Sequence, residues 1–291
     1  MTDGMSRTVL LVGPGWLGAP AARALAARGD RVLVVQRSST PAPDGCVGVT
    51  AAIEELADQP ALLRQLPERI DVLVLAVAPS RARGDDYAMY PTTARGAAQL
   101  VARLGARQLL QISSTGVYNR HDGAVVQEEM ALTPGDTRVQ ALQEAEQIVQ
   151  AQAGRDCTVT TLRPAGLYGP GRDPAPRFLQ PHPAPGLWCN FSWRDDVVSA
   201  MLHVLDLPPT AHARVLNCTD DVPVRAGAIV HALTGVPAPD GDQDAVPTVS
   251  RSNQRVSSAA LIASGWSPAV PDVFSGLRRL GHALPGREGH P

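Results

Sequence analysis

The chain has 291 residues, 44% of them apolar, and a formal net charge of −2 at pH 7. That balance excludes a disordered chain and a nucleic-acid binder built on excess positive charge, and the length allows one large domain or a main domain with a smaller lobe. All 26 residues counted as Lys+Arg are arginine, so Schiff-base catalysis, a phosphate-loop lysine and a lysine-assisted tyrosine are excluded.

Apolar runs and amphipathic segments alternate over the first two thirds of the chain. Thr8–Val12 reads as a buried strand and Leu17–Arg28 as an alanine-rich helix ending at Gly29. A second strand at Arg31–Val35 is followed by a turn-rich stretch, a weak strand at Val47–Thr50 and a helix over Ala52–Leu66. The strongly apolar strand Asp71–Val77 precedes a long helix at Tyr87–Leu104, then come strand Gln108–Ser113, helix Val139–Ala153 and strand Thr158–Leu162. Such βαβ succession argues an α/β fold of the Rossmann type, a doubly wound parallel sheet. Residues Pro164–Pro185 are rich in proline and glycine and read as loop; Asp195–Leu205 reads as a helix and Arg214–Cys218 as a strand returning to the sheet. Short helices follow at Ala226–Leu233, Ser257–Ala263 and Val273–Leu280, with a frayed tail at Gly286–Pro291. The expected division is a dinucleotide-binding domain over 1–165, with 189–220 returning to it, and a small irregular C-terminal substrate lobe from 166–188 and 221–291.

No apolar stretch suits a membrane span and no signal peptide is evident, so a cytoplasmic protein without membrane or nucleic-acid partners is expected. Cys46, Cys157, Cys189 and Cys218 are scattered, and neither they nor the seven histidines show ligand spacing. Reduced thiols and no metal are expected.

Gly13-Pro14-Gly15-Trp16-Leu17-Gly18 is a GxGxxG segment between the first strand and the first helix. Gly13 permits the turn, Gly15 lets the backbone approach a pyrophosphate and Gly18 lets the helix pack close. The helix N-terminus, with the amides of Trp16 and Leu17, offers N–H donors to phosphate. The second strand ends Val34-Val35-Gln36-Arg37-Ser38 without the carboxylate that usually holds a ribose 2′-hydroxyl. Arg37 and Ser38 suit a 2′-phosphate, which favours NADP(H) over NAD(H), although a solvated surface arginine is the alternative.

Two further segments, Ile112-Ser113-Ser114-Thr115-Gly116-Val117-Tyr118 and Leu162-Arg163-Pro164-Ala165-Gly166-Leu167-Tyr168-Gly169-Pro170-Gly171, follow the fifth and sixth apolar strands. With the glycine loop they resemble the extended short-chain dehydrogenase/reductase superfamily, also called the NAD-dependent epimerase/dehydratase family, over nearly the whole chain. The resemblance implies Ser114, or Thr115 beside it, as the catalytic hydroxyl, Ala76 and Ala78 beside the adenine-side ribose, and Pro164 beside the nicotinamide. It also implies Arg172 and Tyr168 at the start of a substrate loop, although the family's tyrosine at the latter position is structural. Arg255 is a further anion-contact candidate.

The departures are informative. Aligned on Glu146, the family's Tyr-x-x-x-Lys pair falls on Arg138 and Leu142. A guanidinium cannot act as general base at neutral pH, so Arg138 either clamps an anion or is simply solvated, the latter being the simpler reading. Ser114 either contacts a substrate oxygen or caps a strand end. Trp193 replaces a histidine the family often carries. The chain thus resembles an atypical branch of the superfamily, and the expected function is an NADP(H)-dependent oxidoreductase acting on a small carbonyl or alcohol. The alternatives are a catalytically impaired NAD(P)-binding sensor or scaffold, and a sugar-nucleotide-type epimerase/dehydratase. The opening loop also resembles that of β-hydroxyacid dehydrogenases, but those enzymes use a lysine that this chain lacks. The sequence leaves substrate and oligomeric state open, although the superfamily often dimerises through helices corresponding to 87–104 and 139–153.

Overall fold

The computed structural model describes residues 6–79, 86–152, 156–179, 184–236 and 252–284. In chain order the elements begin with β1 (Thr8–Val12), α1 (Gly18–Ala27), β2 (Arg31–Gln36), β3 (Val47–Thr50), α2 (Ile53–Leu56), α3 (Pro60–Leu63), β4 (Val72–Leu75) and α4 (Met89–Leu104). They continue with β5 (Gln108–Ile112), a 3-10 turn (Thr115–Tyr118), β6 (Val125–Val126), α5 (Thr137–Gln150), β7 (Thr158–Pro164), β8 (Gly166–Tyr168) and α6 (Ala175–Phe178). The remainder is β9 (Trp188–Cys189), β10 (Phe191–Trp193), α7 (Arg194–Asp206), β11 (Arg214–Cys218), β12 (Val224–Arg225), α8 (Ala226–Thr234), β13 (Arg255–Val256), α9 (Ala259–Ala263) and α10 (Val273–Arg279). The chain divides into two compact units, the first made of 1–117, 134–163 and 198–216, the second of 118–133, 164–197 and 217–291.

The first unit is organised by a seven-stranded sheet of order β11-β7-β5-β4-β1-β2-β3. The pairings from β7 through β5, β4, β1 and β2 to β3 are parallel. In β4 and β7 every residue is buried, and in β1 and β2 nearly every one. Because successive side chains alternate between faces, such uninterrupted burial means that both faces are covered, which is why β1, β2 and β4 read as apolar runs, while β7 buries three threonines and Arg163 as well. Leu10, Leu33, Leu73, Leu75 and Leu109 of the strands share one core with Leu56, Leu100 and Leu104 of the helices. The order reverses between β4 and β1, and ligands of open parallel sheets lie beyond the carboxyl ends of strands at such a switch.

The helix expected over Ala52–Leu66 is two short helices. Pro60 opens the second, and Gln59 before it is extended, with φ −104° and ψ 107°. A residue preceding proline is pushed out of the helical region by the ring, so one helix cannot run through this point. The helix expected to reach Ala153 is described to Gln150, and 153–155 lie outside the described residues.

In the second unit three two-stranded ladders pair β8 with β10, β9 with β12 and β6 with β13. Its core holds Tyr168, Phe178, Phe191, Trp193, Ile229, Val270 and Leu277. The Tyr168 ring packs edge-on against Phe191 and Trp193, with centroids 5.5 and 5.2 Å away. The stretch Pro164–Pro185, expected as loop, contains β8 and α6; three residues of β8 are held by the ladder to β10, which no local pattern announces. Residues 118–133 also depart from the expected division. They group with the second unit, because β6 pairs with β13 and Gly123 N–H donates to Asn253 O at 2.8 Å. The unit boundaries likewise assign 189–197 and 217–220 to the second unit. The tail 286–291 lies outside the described residues.

Candidate functional site

The parallel register aligns the carboxyl ends of β1, β2, β4 and β5 along one edge of the sheet, so Gly13, Arg37, Ala76 and Ser113 leave the strands on the same side. Gly13 has φ +91°, in the region that favours glycine, and its N–H donates to Val35 O at 3.1 Å. A Cβ there would meet Ala76 O at 2.7 Å. A Cβ on Gly18 would lie 2.1 Å from Gly13 O, so the helix touches the loop that feeds it. Gly15 differs: a Cβ there meets nothing within 4 Å. Helix α1 starts with Leu17 as its cap residue and has no side-chain cap hydrogen bond, which places the amides of Trp16 and Leu17 at its N-terminal turn. Gly15 is exposed and Trp16 half-buried, with Leu17 buried beneath. Backbone with open space beside it at a helix N-terminus, with partial positive charge, has the room and polarity a diphosphate requires. The residues present therefore fit a dinucleotide.

Beyond β2, Arg37 and Ser38 are exposed. Arg37 Nη2 is 2.6 Å from Glu54 Oε1, an ion pair the sequence reading did not contain. Ser38 Oγ is 2.9 Å from Thr40 Oγ1. Ala76 is half-buried and Ala78 exposed, and the Ala76 N–H donates to Val12 O at 2.9 Å, which ties the end of β4 to β1.

Beyond β5, Ser113 N–H donates to Leu162 O at 2.8 Å, and the chain then enters the 3-10 turn. Ser114 Oγ accepts from Gly116 N–H at 3.1 Å, so the hydroxyl caps the start of the 3-10 turn. As a hydroxyl it keeps its own proton to donate. Thr115 is buried, whereas Ser114 is only half-buried, which makes Ser114 the more reachable of the two. Arg138 on α5 is half-buried. A Cβ on Gly116 would lie 2.9 Å from Arg138 Nη1 and 3.3 Å from Ser114 Oγ, so the guanidinium and the hydroxyl flank the same glycine. The sequence treats Arg138 as a solvated side chain; the turn of α5 brings it against the serine turn instead. Burial pushes the Tyr90 phenol at the start of α4 above its usual range, with the Arg138 charge pulling the other way.

Pro164, at the end of β7, is buried. In the second unit, Arg172 is exposed, in a turn closed by reciprocal backbone hydrogen bonds with Gly169 at 2.8 and 3.1 Å. Tyr168 requires a correction as a substrate residue. It is 1% exposed, its ring is clasped by Phe191, Trp193 and Gly276, and its hydroxyl donates to Asp272 O at 3.4 Å. It is a core residue. Arg255, the other anion candidate, lies 5.3 Å from the Trp188 ring centroid, with Arg225 at 4.2 Å. Among the described residues no group of three or more His, Cys, Asp or Glu is arranged to hold a metal, and no helix is long and apolar enough to cross a membrane.

Sheet order, glycine turn and uncapped first helix define a Rossmann-type, doubly wound α/β chain. The model of the NAD dependent epimerase/dehydratase family matches residues 9–185, and the chain belongs to that family. Protein YeeZ of Escherichia coli (strain K12) is 31% identical over 221 residues, covering 71% of this chain and 76% of YeeZ. A solved protein of Methylobacillus flagellatus named for the same family is 26% identical, with a TM-score of 0.73, coverage being 95% of this chain and 98% of that one. The UDP-glucuronic acid 4-epimerase of Bacillus cereus, solved with UDP-4-deoxy-4-fluoro-glucuronic acid and NAD, shares the fold at 18% identity and a TM-score of 0.70, over 93% of this chain and 96% of that one.

Proposed function

We propose that the protein is a nicotinamide-dinucleotide-dependent oxidoreductase of an atypical extended type, NADP(H) preferred, acting on a small carbonyl or alcohol. The observation that carries this reading is the open backbone at Gly15, set between Gly13 and Gly18 at the uncapped start of α1. In it the amides of Gly15, Trp16 and Leu17 hold the diphosphate, and Arg37 and Ser38, with Ala76 and Ala78, face the adenosine ribose. The bound dinucleotide supplies hydride chemistry at its nicotinamide ring. Ser114 donates its hydroxyl proton in a hydrogen bond to the substrate oxygen, with Thr115 buttressing the turn. Arg138 places a permanent positive charge beside that oxygen, which favours negative charge developing there in the transition state. Neither group is a tuned acid, so the proton comes from water or from the substrate, and slow turnover is expected. In the second unit, exposed Arg172 is proposed as an anion contact. Titrating NADPH and NADH by fluorescence and then screening carbonyl substrates tests the proposal; no turnover across a broad panel counts against the enzyme.

The replacement of the family's tyrosine by Arg138, in a chain without lysine, favours a second reading, a cofactor-responsive sensor or scaffold. A partner bound only in the presence of oxidised or of reduced cofactor supports it. Epimerisation of a sugar nucleotide, the chemistry named for the Bacillus cereus enzyme, or dehydration of one, is the third. Turnover of UDP-sugars without net cofactor reduction distinguishes it.

A further inference from the structure

The acid opposite Arg37 has consequences for cofactor choice. Glu54 sits in the first turn of α2 between buried Ile53 and Leu56. Its backbone is pressed against α4, where a Cβ on Gly96 would lie 3.1 Å from Glu54 N and Cα. The carboxylate is therefore delivered by a fixed stretch of backbone. One oxygen, Oε1, holds Arg37 Nη2 at 2.6 Å. The other, Oε2, is buried and has no hydrogen-bond partner, an arrangement that costs free energy until a donor arrives.

We infer that Glu54 sets the discrimination between a ribose 2′-hydroxyl and a 2′-phosphate, an inference that rests on the reading of the β2 end as the adenosine-ribose site. A 2′-phosphate seeks the Arg37 guanidinium, but must compete with a carboxylate already bound to it, and brings its own negative charge close to Glu54. A 2′-hydroxyl makes no such demand on the guanidinium and leaves the Arg37–Glu54 pair intact. Arg37 thus rewards the phosphate while Glu54 penalises it. The wild-type chain binds both dinucleotides, and its preference for NADPH is held down by one acid that lies outside the second strand, where the selecting carboxylate usually stands.

The test is a set of dissociation constants for NADPH and NADH, by fluorescence and calorimetry, on the full chain and on Glu54→Gln, Arg37→Ala and the double variant. Glu54→Gln keeps the shape and removes the charge; it is expected to tighten NADPH and change NADH little, moving their ratio by about tenfold, the scale of one charge-assisted hydrogen bond. Arg37→Ala is expected to weaken NADPH by a similar factor while changing NADH little. In the double variant the gain for NADPH is expected to shrink to what removal of the Glu54 charge alone gives, since competition for the guanidinium is gone. Should Glu54→Gln fail to fold, adenosine 2′,5′-bisphosphate and 5′-AMP titrated against wild type across salt concentration replace it, and a bisphosphate affinity indifferent to salt overturns the inference. A ratio moved by less than about twofold in Glu54→Gln, with wild type binding either dinucleotide, overturns the role of Glu54 alone. Failure of wild type to bind either overturns this inference and the cofactor reading together.

Discussion

Arg163 of β7 and Glu146 of α5 meet in a two-point ion pair, Nε to Oε1 at 3.0 Å and Nη2 to Oε2 at 2.6 Å, with side chains only 4% and 2% exposed. The pair ties the helix that carries Arg138 to the sheet strand that ends at Pro164. Buried in this way, the charges satisfy each other at two points, and removal of one strands the other in a low-dielectric setting. Glu146→Ala is expected to cost about 3–5 kcal/mol in denaturant unfolding, and the double replacement Glu146→Leu with Arg163→Met to recover most of that loss. A single-variant loss below about 1 kcal/mol speaks against the pair as a structural tie.

The glycine loop separates a folding requirement from a binding requirement. Gly18→Ala forces a Cβ against a backbone oxygen that cannot move without shifting the loop, so it is expected to lower thermal stability by several degrees. Gly15→Ala has room in the folded chain and is expected to leave the melting temperature within about 2 °C. Its methyl group, however, occupies the space proposed for the diphosphate, and a loss of NADPH affinity of about tenfold or more is expected. Unchanged affinity in a well-folded Gly15→Ala chain places the diphosphate elsewhere.

Much of the first unit is legible from sequence because parallel strands covered on both faces must be apolar throughout, so β1, β2, β4 and β5 stand out as runs whose ends fall within two residues of the expected positions. The helix over 52–66 failed on one residue, Pro60, whose effect on Gln59 outweighs the apolar periodicity around it. The second unit is less legible, since its ladders are two or three residues long and join partners as distant as Val125 and Arg255. Periodicity cannot reveal a two-residue strand. At the candidate site, the glycines announce themselves by spacing. Glu54 does not: in sequence it is one of two acids opening a short helix, and its tie to Arg37 depends on where β3 delivers the chain. Tyr168 shows the converse, a motif residue whose ring the core has claimed.

The proposed roles of Ser114 and Arg138 differ in what their loss changes. Ser114→Ala removes the donor to the substrate oxygen and is expected to lower kcat by about a hundredfold or more, with dinucleotide affinity unchanged. Arg138→Gln removes the charge that flanks Gly116 and is expected to lower kcat by a similar factor, again without loss of cofactor binding. Full activity in both variants, measured on the best substrate of a carbonyl panel, removes this turn from the chemistry.

Asp220 gives the second unit an unusual pH response. Its carboxyl is 5% exposed; one oxygen accepts from Val222 N–H at 3.3 Å, while Oδ2 is buried without a hydrogen-bond partner. Burial pushes its pKa up to about 8, helped by the charges of Asp272, Asp221 and Asp196. The unfolded chain releases this proton near pH 4, so between about pH 4 and 8 the folded state holds the extra proton. Stability from this group is complete below the unfolded value and falls as pH rises through that window, by at most about 1.4 kcal/mol per pH unit, levelling off above it. Asp220→Asn retains an acceptor for Val222 and carries no charge, so its advantage over wild type is expected to be smallest near pH 4 and to grow towards pH 8. Urea midpoints of both chains at pH 5, 6.5 and 8 measure that difference. A gap that stays constant with pH, or narrows as pH rises, means that Asp220 ionises in the folded protein no later than in the unfolded one.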